Sequence, residues 1–284
     1  MPLITLLSDW GQDDYYLAEV KLRLHALLPD CHVLDISHGL HRDDLLSAAF
    51  VMYNLYSSMP ENTVHILGIQ DIASVGRPHL LVRAGGQYFI GADNGFFEYF
   101  QWISGRKVDE VREIEVWQDS DFTGIDVYTF PSRDLFPKVA AMIVQGCDLD
   151  QIGHPVQLEL KALQNPMSNR VMEKDKGGSQ IGCRINGNVL YIDHFGNACT
   201  NIRKSEYEEC LRQYPFSYMV VNGKKVYKAP VRAYQDLTEG SLLGIFLKNG
   251  FLEISIHGDH AANLLGLSRG SRVNILFGQS RLAL

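Results

Sequence analysis

The chain has 284 residues, 46% hydrophobic and 21% charged, which is enough apolar content for one large core or two ordinary ones and too much for a disordered chain. A formal charge of -7 with no clustered basic patch argues against nucleic acid as a partner, because phosphate binding needs grouped Lys and Arg. No apolar run reaches the ~18 residues of a membrane span, and "MPLITLLSDWG" lacks a basic stretch and meets Asp9 early, so neither membrane nor signal peptide is expected and the location is expected to be cytoplasmic. The five cysteines, Cys31, Cys147, Cys183, Cys199 and Cys210, are odd in number, scattered and without a C-x-x-C pair, so no disulfide frame and no metal site is expected.

The first half alternates strand-like and helix-like pieces. "LITLLSD" (Leu3–Asp9) reads as a short apolar strand and "DYYLAEVKLRLHALLP" (Asp14–Pro29) as an amphipathic helix stopped by proline. The strand "CHVLDIS" leads through the polar turn "HGLHRDD" into the helix Leu45–Pro60, and the strand Thr63–Asp71 follows. This β-α-β-α-β order predicts a parallel sheet with helices on its faces. "HLLVRAGGQYFIGADNG" reads as a hairpin turning at Gly85–Gly86, and Phe136–Gly146 as another helix. The polar, aperiodic stretch Gln164–Gln180 reads as a linker. Beyond it the pattern is short strands and turns with one brief helix, Asp259–Leu267. The expected architecture is therefore α/β: an N-terminal parallel-sheet α/β domain over residues 1–165, a linker over 166–180, and a smaller β-rich domain over 181–284.

Ligands of open parallel sheets gather outside the carboxyl ends of the strands. Three strands here end in or near an acid: Asp9, Asp35 and Asp71. The Gly-rich phosphate cradles G-x-G-x-x-G and G-x-x-x-x-G-K-[ST] are absent, as is the nucleophile elbow G-x-S-x-G. A second candidate lies in "YIDHFGNACTNI" (Tyr191–Ile202), where a strand-like run is broken by an acid, an aromatic, a glycine and an amide within five positions. A purely structural core run has no use for so many polar groups, which cost a few kcal/mol each when buried unpaired.

Seven blocks in order, "TLLSDWGQDDYYLAEVKLRL", "DISHGL", "PENTVHILGIQD", "GADNGFF", "TFPSRDLFPKVAA", "YIDHFGNACTNI" and "NGFLEISIHGDHAANLLGL", resemble the S-adenosyl-L-methionine (SAM) hydroxide adenosyltransferases, whose relatives include SAM-dependent chlorinases and fluorinases. The resemblance covers nearly the whole chain. It implies that Asp9 accepts the ribose hydroxyls, Asp193 holds the methionine ammonium, Phe195 lies against adenine, and Asn197 reads the adenine edge. Lys248 and Asn249 stand where small hydroxyl residues grip the methionine carboxylate, and Asp71 and Arg77 stand in the group that polarises the attacking water. It also implies SAM as substrate with no further cofactor, and a homotrimer with the ligand between subunits.

The chain departs from the family pattern at the water-activating group. The turn after Asp71 is "IASVG", Arg77 arrives one position early, and the histidine expected in the "TFPSRD" block is Pro131, which neither donates nor titrates. His79 is either a spatial substitute or a packing histidine. Ser132 stands where fluorinating relatives carry a serine at the halide pocket, yet Asp43 replaces an aromatic over the ribose and would repel a halide. Three readings stay open: a SAM hydrolase releasing adenosine and L-methionine, a non-catalytic SAM or adenosine binder, and a halogenase.

Overall fold

The computed structural model describes residues 2–115, 129–158, 161, 163–226 and 229–279. The chain forms two compact units, Met1–Gln164 and Asn165–Leu284.

The first unit opens with β1 (Leu3–Ser8), α1 (Tyr16–Leu27), β2 (His32–Ser37), α2 (Leu45–Tyr56) and β3 (Val64–Gly68), the expected alternation. β1 and β3 are buried almost throughout, as strands covered on both faces must be, whereas β2 is largely exposed along one edge. α2 starts where Asp44 accepts the backbone N–H of Ser47 at 3.0 Å, an acid satisfying one of the orphan donors of the first turn. β4 (His79–Ala84) and β5 (Gln87–Ala92) form the hairpin expected at Gly85–Gly86. α3 (Phe96–Ser104), β6 (Glu110–Ile114), α4 (Pro131–Asp134), α5 (Phe136–Val144) and β7 (Gly153–Pro155) complete the unit.

Its seven-stranded sheet runs β2-β1-β3-β5-β4-β6-β7. The pairs β1–β2, β1–β3 and β3–β5 are parallel, and β4–β5, β4–β6 and β6–β7 antiparallel. The sheet is thus mixed, and only the half carrying the strand-end acids is the expected parallel one. The reason is local: a hairpin cannot add a parallel neighbour, so β4 must run against β5. Ile4, Leu6, Val64, Ile66 and Ile90 on the strands pack with Val20 and Leu24 of α1 and Phe136, Val139 and Ala140 of α5 to make the core.

The second unit contains β8 (Asn169–Lys174), β9 (Gln180–Ile192), β10 (Ala198–Arg203), α6 (Lys204–Gln213), β11 (Phe216–Val221), β12 (Lys224–Val226), β13 (Leu242–Phe246), β14 (Phe251–Ile256), α7 (Ala261–Leu265) and β15 (Arg272–Gly278). Its eight strands follow the order β12-β11-β15-β9-β10-β14-β13, with β8 added on β9. All the pairs are antiparallel. Two features differ from expectation. The stretch read as linker carries β8, an edge strand whose side chains are mostly exposed and so leave no apolar alternation. α6 ("KSEYEECLRQ") was not anticipated because its charged face hides the narrow buried stripe of Tyr207 and Cys210. Among the described residues no helix is long and apolar enough to cross a membrane.

Candidate functional site

In the first unit β1 lies between β2 and β3, so the chain departs to opposite sides of it and leaves a crevice at the carboxyl ends. A cavity of about 830 Å³ opens there, lined by Asp9 and Trp10 after β1, Arg42 and Asp43 before α2, the Gln70–Ile72 segment and Arg77 after β3, Tyr15 and Tyr16 at the start of α1, and Thr129, Phe130 and Arg133 around α4. Asp9 therefore shares one cavity with Asp71 and Arg77. Asp35 does not join them: it faces the surface of β2 and pairs with Lys21 of α1 at 2.5 Å.

Asp71 is buried. Its carboxylate accepts the Ser132 hydroxyl, and its backbone carbonyl accepts Nε2–H of His79 at 2.8 Å. Burial raises the Asp71 pKa, the Ser132 hydrogen bond opposes this, and the negative charge of Asp9 adds to the rise. Asp9 is likewise raised, first by its own burial, with backbone hydrogen bonds acting against it and the Asp43 charge with it. Ser132 is fully buried at the second position of α4, directly after Pro131 at the helix start, where a proline costs no hydrogen bond. The residue at the expected histidine position thus shapes the turn, and its neighbour makes the bond to the acid. His79 is a packing residue: it is buried, its ring meets the Phe136 ring edge-on, and burial lowers its pKa.

Arg77 reaches Gln70 rather than Asp71. Its Nη2 donates to the Gln70 backbone oxygen and, at 3.1 Å, to Gln70 Oε1, while its buried Nε has no hydrogen-bond partner among the described residues. Gln70 in turn donates to Asp43 Oδ1 at 2.5 Å. Gln70 and Asp43 both hold positive φ, 44° and 65°, conformations that cost of order 1–3 kcal/mol in non-glycine residues and tend to collect at functional sites. Desolvation lowers the Arg77 pKa, and the carboxylates of Asp71, Asp43 and Asp93 act in the opposite sense. The segment is propped from below by Asn94, whose side chain donates to the Ile69 carbonyl at 2.8 Å. Gln70 was missed in sequence, where nothing distinguishes it from any loop glutamine.

Trp10 was also missed. Its indole stacks on His38 (ring centroids 6.0 Å, 11° between planes) and meets Phe130 edge-on at 5.7 Å. It also covers Gly68, where a Cβ would stand 2.0 Å from Trp10 Cζ2, so β3 must end in glycine for the indole to lie flat.

In the second unit the interrupted strand is the β9–β10 turn. Asp193 Oδ1 accepts backbone N–H from Phe195 at 3.0 Å and from Asn197 at 2.8 Å, and Asp193 Oδ2 accepts the Asn197 side-chain amide at 3.0 Å. Asp193 therefore builds the turn as well as charging it, and of about four acceptor positions on a carboxylate three are in use. Gly196 has φ 82°, and a Cβ there would strike the His260 ring at 2.1 Å, so the position admits glycine alone. Phe195 is 74% exposed, and its ring meets the neighbouring His194 edge-on at 5.8 Å. Lys248 and Asn249 form the β13–β14 turn, Lys248 exposed and Asn249 Oδ1 accepting the Phe251 N–H at 2.9 Å. Among the described residues no group of three His, Cys, Asp or Glu side chains is arranged to hold a metal ion.

A mixed α/β unit with an acid-lined crevice is followed by an antiparallel unit with an acid-aromatic-amide turn. The chain belongs to the SAM hydroxide adenosyltransferase family: the model of that family's N-terminal domain matches residues 4–153 and that of its C-terminal domain residues 187–274. It is 29% identical to an (R)-S-adenosyl-L-methionine hydrolase of Thermus thermophilus over 96% of this chain and 99% of the relative. It is 25% identical to a fluorinase of an Actinoplanes species over 73% and 74% of the two chains. Among solved structures, an uncharacterised conserved protein of Thermotoga maritima superposes with a TM-score of 0.79 at 26% identity, covering 96% of this chain and 99% of that one.

A carboxyl whose folded-state pKa is raised binds its proton more tightly in the folded chain, so stability falls as pH rises from the ordinary carboxylate range through the folded value. Asp71→Asn keeps an oxygen to accept the Ser132 hydroxyl but removes the charge. It is expected to melt at a higher temperature than the native chain at neutral pH, with the gap closing as pH is lowered through that window. Thermal scans from neutral to acid pH test this; a gap independent of pH contradicts it.

Proposed function

We propose that the protein hydrolyses SAM to adenosine and L-methionine by attack of water on the ribose C5′. The observation that carries this is the buried, Ser132-bonded Asp71 facing the same cavity as Asp9 and Arg77; the full-length similarity to (R)-SAM hydrolases supports it. The sulfonium departs as neutral methionine, so the leaving group needs no acid. What remains is to orient and polarise the water and exclude competitors, and positioning alone is worth roughly 7–11 kcal/mol of barrier. Asp71 is the acceptor for the water, Arg77 the cation beside it, and Asp9 the acceptor for both ribose hydroxyls. Asp193, Phe195 and Asn197 take the ammonium, the adenine face and the adenine edge, and Lys248 with Asn249 the carboxylate. SAM is the substrate and no further cofactor is invoked.

One observation favours the non-catalytic binding reading: Pro131 stands at the histidine position and Arg77 is engaged by Gln70. The halogenating reading is weaker, because the Ser132 hydroxyl is directed at Asp71 and an anion would meet Asp9, Asp43 and Asp71 together.

The assembly implied is a homotrimer with each ligand between subunits. Its support is apolar surface in both units: Phe195 in the second, and Ile72 and fully exposed Val75 in the loop after Asp71 in the first. Light scattering is expected to give a trimer, and a stable monomer that still binds SAM contradicts it.

Purified protein given SAM is expected to release adenosine, and Asp71→Asn to lower that rate by the ~10²–10⁴-fold typical of losing a catalytic base while ligand affinity is nearly kept. If the native chain and Asp71→Asn both match buffer while calorimetry shows tight binding, the protein is a binder. Asp193→Asn, which keeps an oxygen to accept the turn's N–H groups but removes the charge, is expected to weaken SAM far more than adenosine, which lacks the ammonium. Equal losses for the two ligands would make Asp193 a turn former only.

A further inference from the structure

A chain of polar groups that the proposed chemistry does not use runs from buried Ser8 and His38 to Asp35 and Lys21 at the surface. Ser8 and His38 are both buried, and the Ser8 hydroxyl lies 2.7 Å from His38 Nδ1. His38 Nε2 stands 3.1 Å from Asp35 Oδ1, and Asp35 Oδ2 is held by Lys21 at 2.5 Å. The backbone N–H of Trp10 donates to Ser8 Oγ at 3.5 Å. The Trp10 N–H gives to Ser8, whose hydroxyl pairs with His38 Nδ1, while His38 Nε2 lies at ion-pair distance from Asp35 without hydrogen-bond geometry. Burial would raise the Asp35 carboxyl, but Lys21 and His38 outweigh it and its pKa is lowered.

Serine, histidine and aspartate in contact in that order are the residue types of a nucleophile triad. That role does not fit here, since Ser8 is fully buried and is not part of the cavity lining. What the chain does touch is the backbone on both sides of Asp9. His38 grips residue 8 through the serine hydroxyl, residue 10 through the stacked indole, and residue 11 through its own carbonyl, which accepts the Gly11 N–H at 2.8 Å. The Asp9 backbone N–H has one longer tie, to Gly68 O at 3.4 Å, while its carboxylate also takes backbone hydrogen bonds at residues 9, 43 and 70. The β1–β2 register supports the same reading. Leu6 pairs with Asp35 but Leu7 with Ser37, so one extra residue in β2 re-aims the strand just before His38.

We propose that His38 is a positioning residue for Asp9, acting through Ser8 and Trp10; this rests on the reading of Asp9 as the acceptor of the ribose hydroxyls. The bracket around residues 8 to 11 fixes where the Asp9 carboxylate stands before ligand arrives. Loosening it therefore costs affinity only for ligands that use that carboxylate.

The experiment is calorimetric titration of the full-length protein with adenosine and with 2′,3′-dideoxyadenosine. The native chain is expected to prefer adenosine. Ser8→Ala and His38→Ala are each expected to weaken adenosine roughly ten-fold, the scale of one good hydrogen bond lost or misplaced, and to leave the dideoxy nucleoside within about two-fold. His38→Asn, which keeps an acceptor toward Ser8, is expected to recover most of the loss. In an Asp9→Asn background, Ser8→Ala is expected to cost nothing further. Equal losses for both nucleosides, or an undiminished Ser8→Ala effect in the Asp9→Asn background, overturn the positioning role. A native chain that binds the two nucleosides equally instead removes Asp9 from the ribose, and the proposal falls with that assignment. Should Ser8→Ala fail to fold, His38→Asn against His38→Ala decides between the same outcomes.

Discussion

Everything in the first unit is arranged around the cost of holding Asp9 and Asp71 together at the carboxyl ends of neighbouring parallel strands, both raised in pKa by burial and close enough for the Asp9 charge to raise Asp71 further. A hydroxyl on Asp71, backbone amides around Asp9 and a nearby guanidinium offset that cost. Isolated buried carboxylates would take up protons instead. The strained backbone at Gln70 and Asp43 belongs to the same economy, since it lets one glutamine bridge Arg77 and Asp43 at the mouth of the cavity.

The exchange of a histidine for Pro131 is less disruptive than it looks in the sequence. The proline sits at the start of a short helix, where it starts the turn that delivers Ser132 onto Asp71. An imidazole can carry a proton between water and acid; a hydroxyl fixed on the acid can only hold its orientation. The partner of the buried acid here is thus a neutral hydroxyl, and Arg77 is held by Gln70.

Much of this was legible in the residues. β1, β3 and the β4–β5 hairpin follow from apolar runs and turn residues, and the acids at the strand ends are where parallel-sheet topology places ligands. The parallel half of the sheet was visible while its antiparallel half was not, because pairing direction beyond a hairpin leaves no local trace. β8 and α6 were hidden for one shared reason: each buries too little to impose a period on its polar residues. Trp10, Gln70 and the Ser8–His38–Asp35 chain were invisible because they work through packing and contacts between segments distant in sequence, as Ser132 does with Asp71 across 61 positions. Asp193 was visible as a charge but not as the residue that ties its own turn, which needs the backbone geometry to be seen.

The seat of Trp10 gives the protein an optical property. Its indole forms part of the cavity wall while resting on an imidazole and closing over a glycine. Indole emission responds to the polarity of its surroundings and is quenched by nearby proton donors, so any molecule that displaces water from this wall changes the brightness and colour of one of the three tryptophans in the chain. The cavity thus carries its own fluorophore, and occupancy can be followed in the native protein without a label.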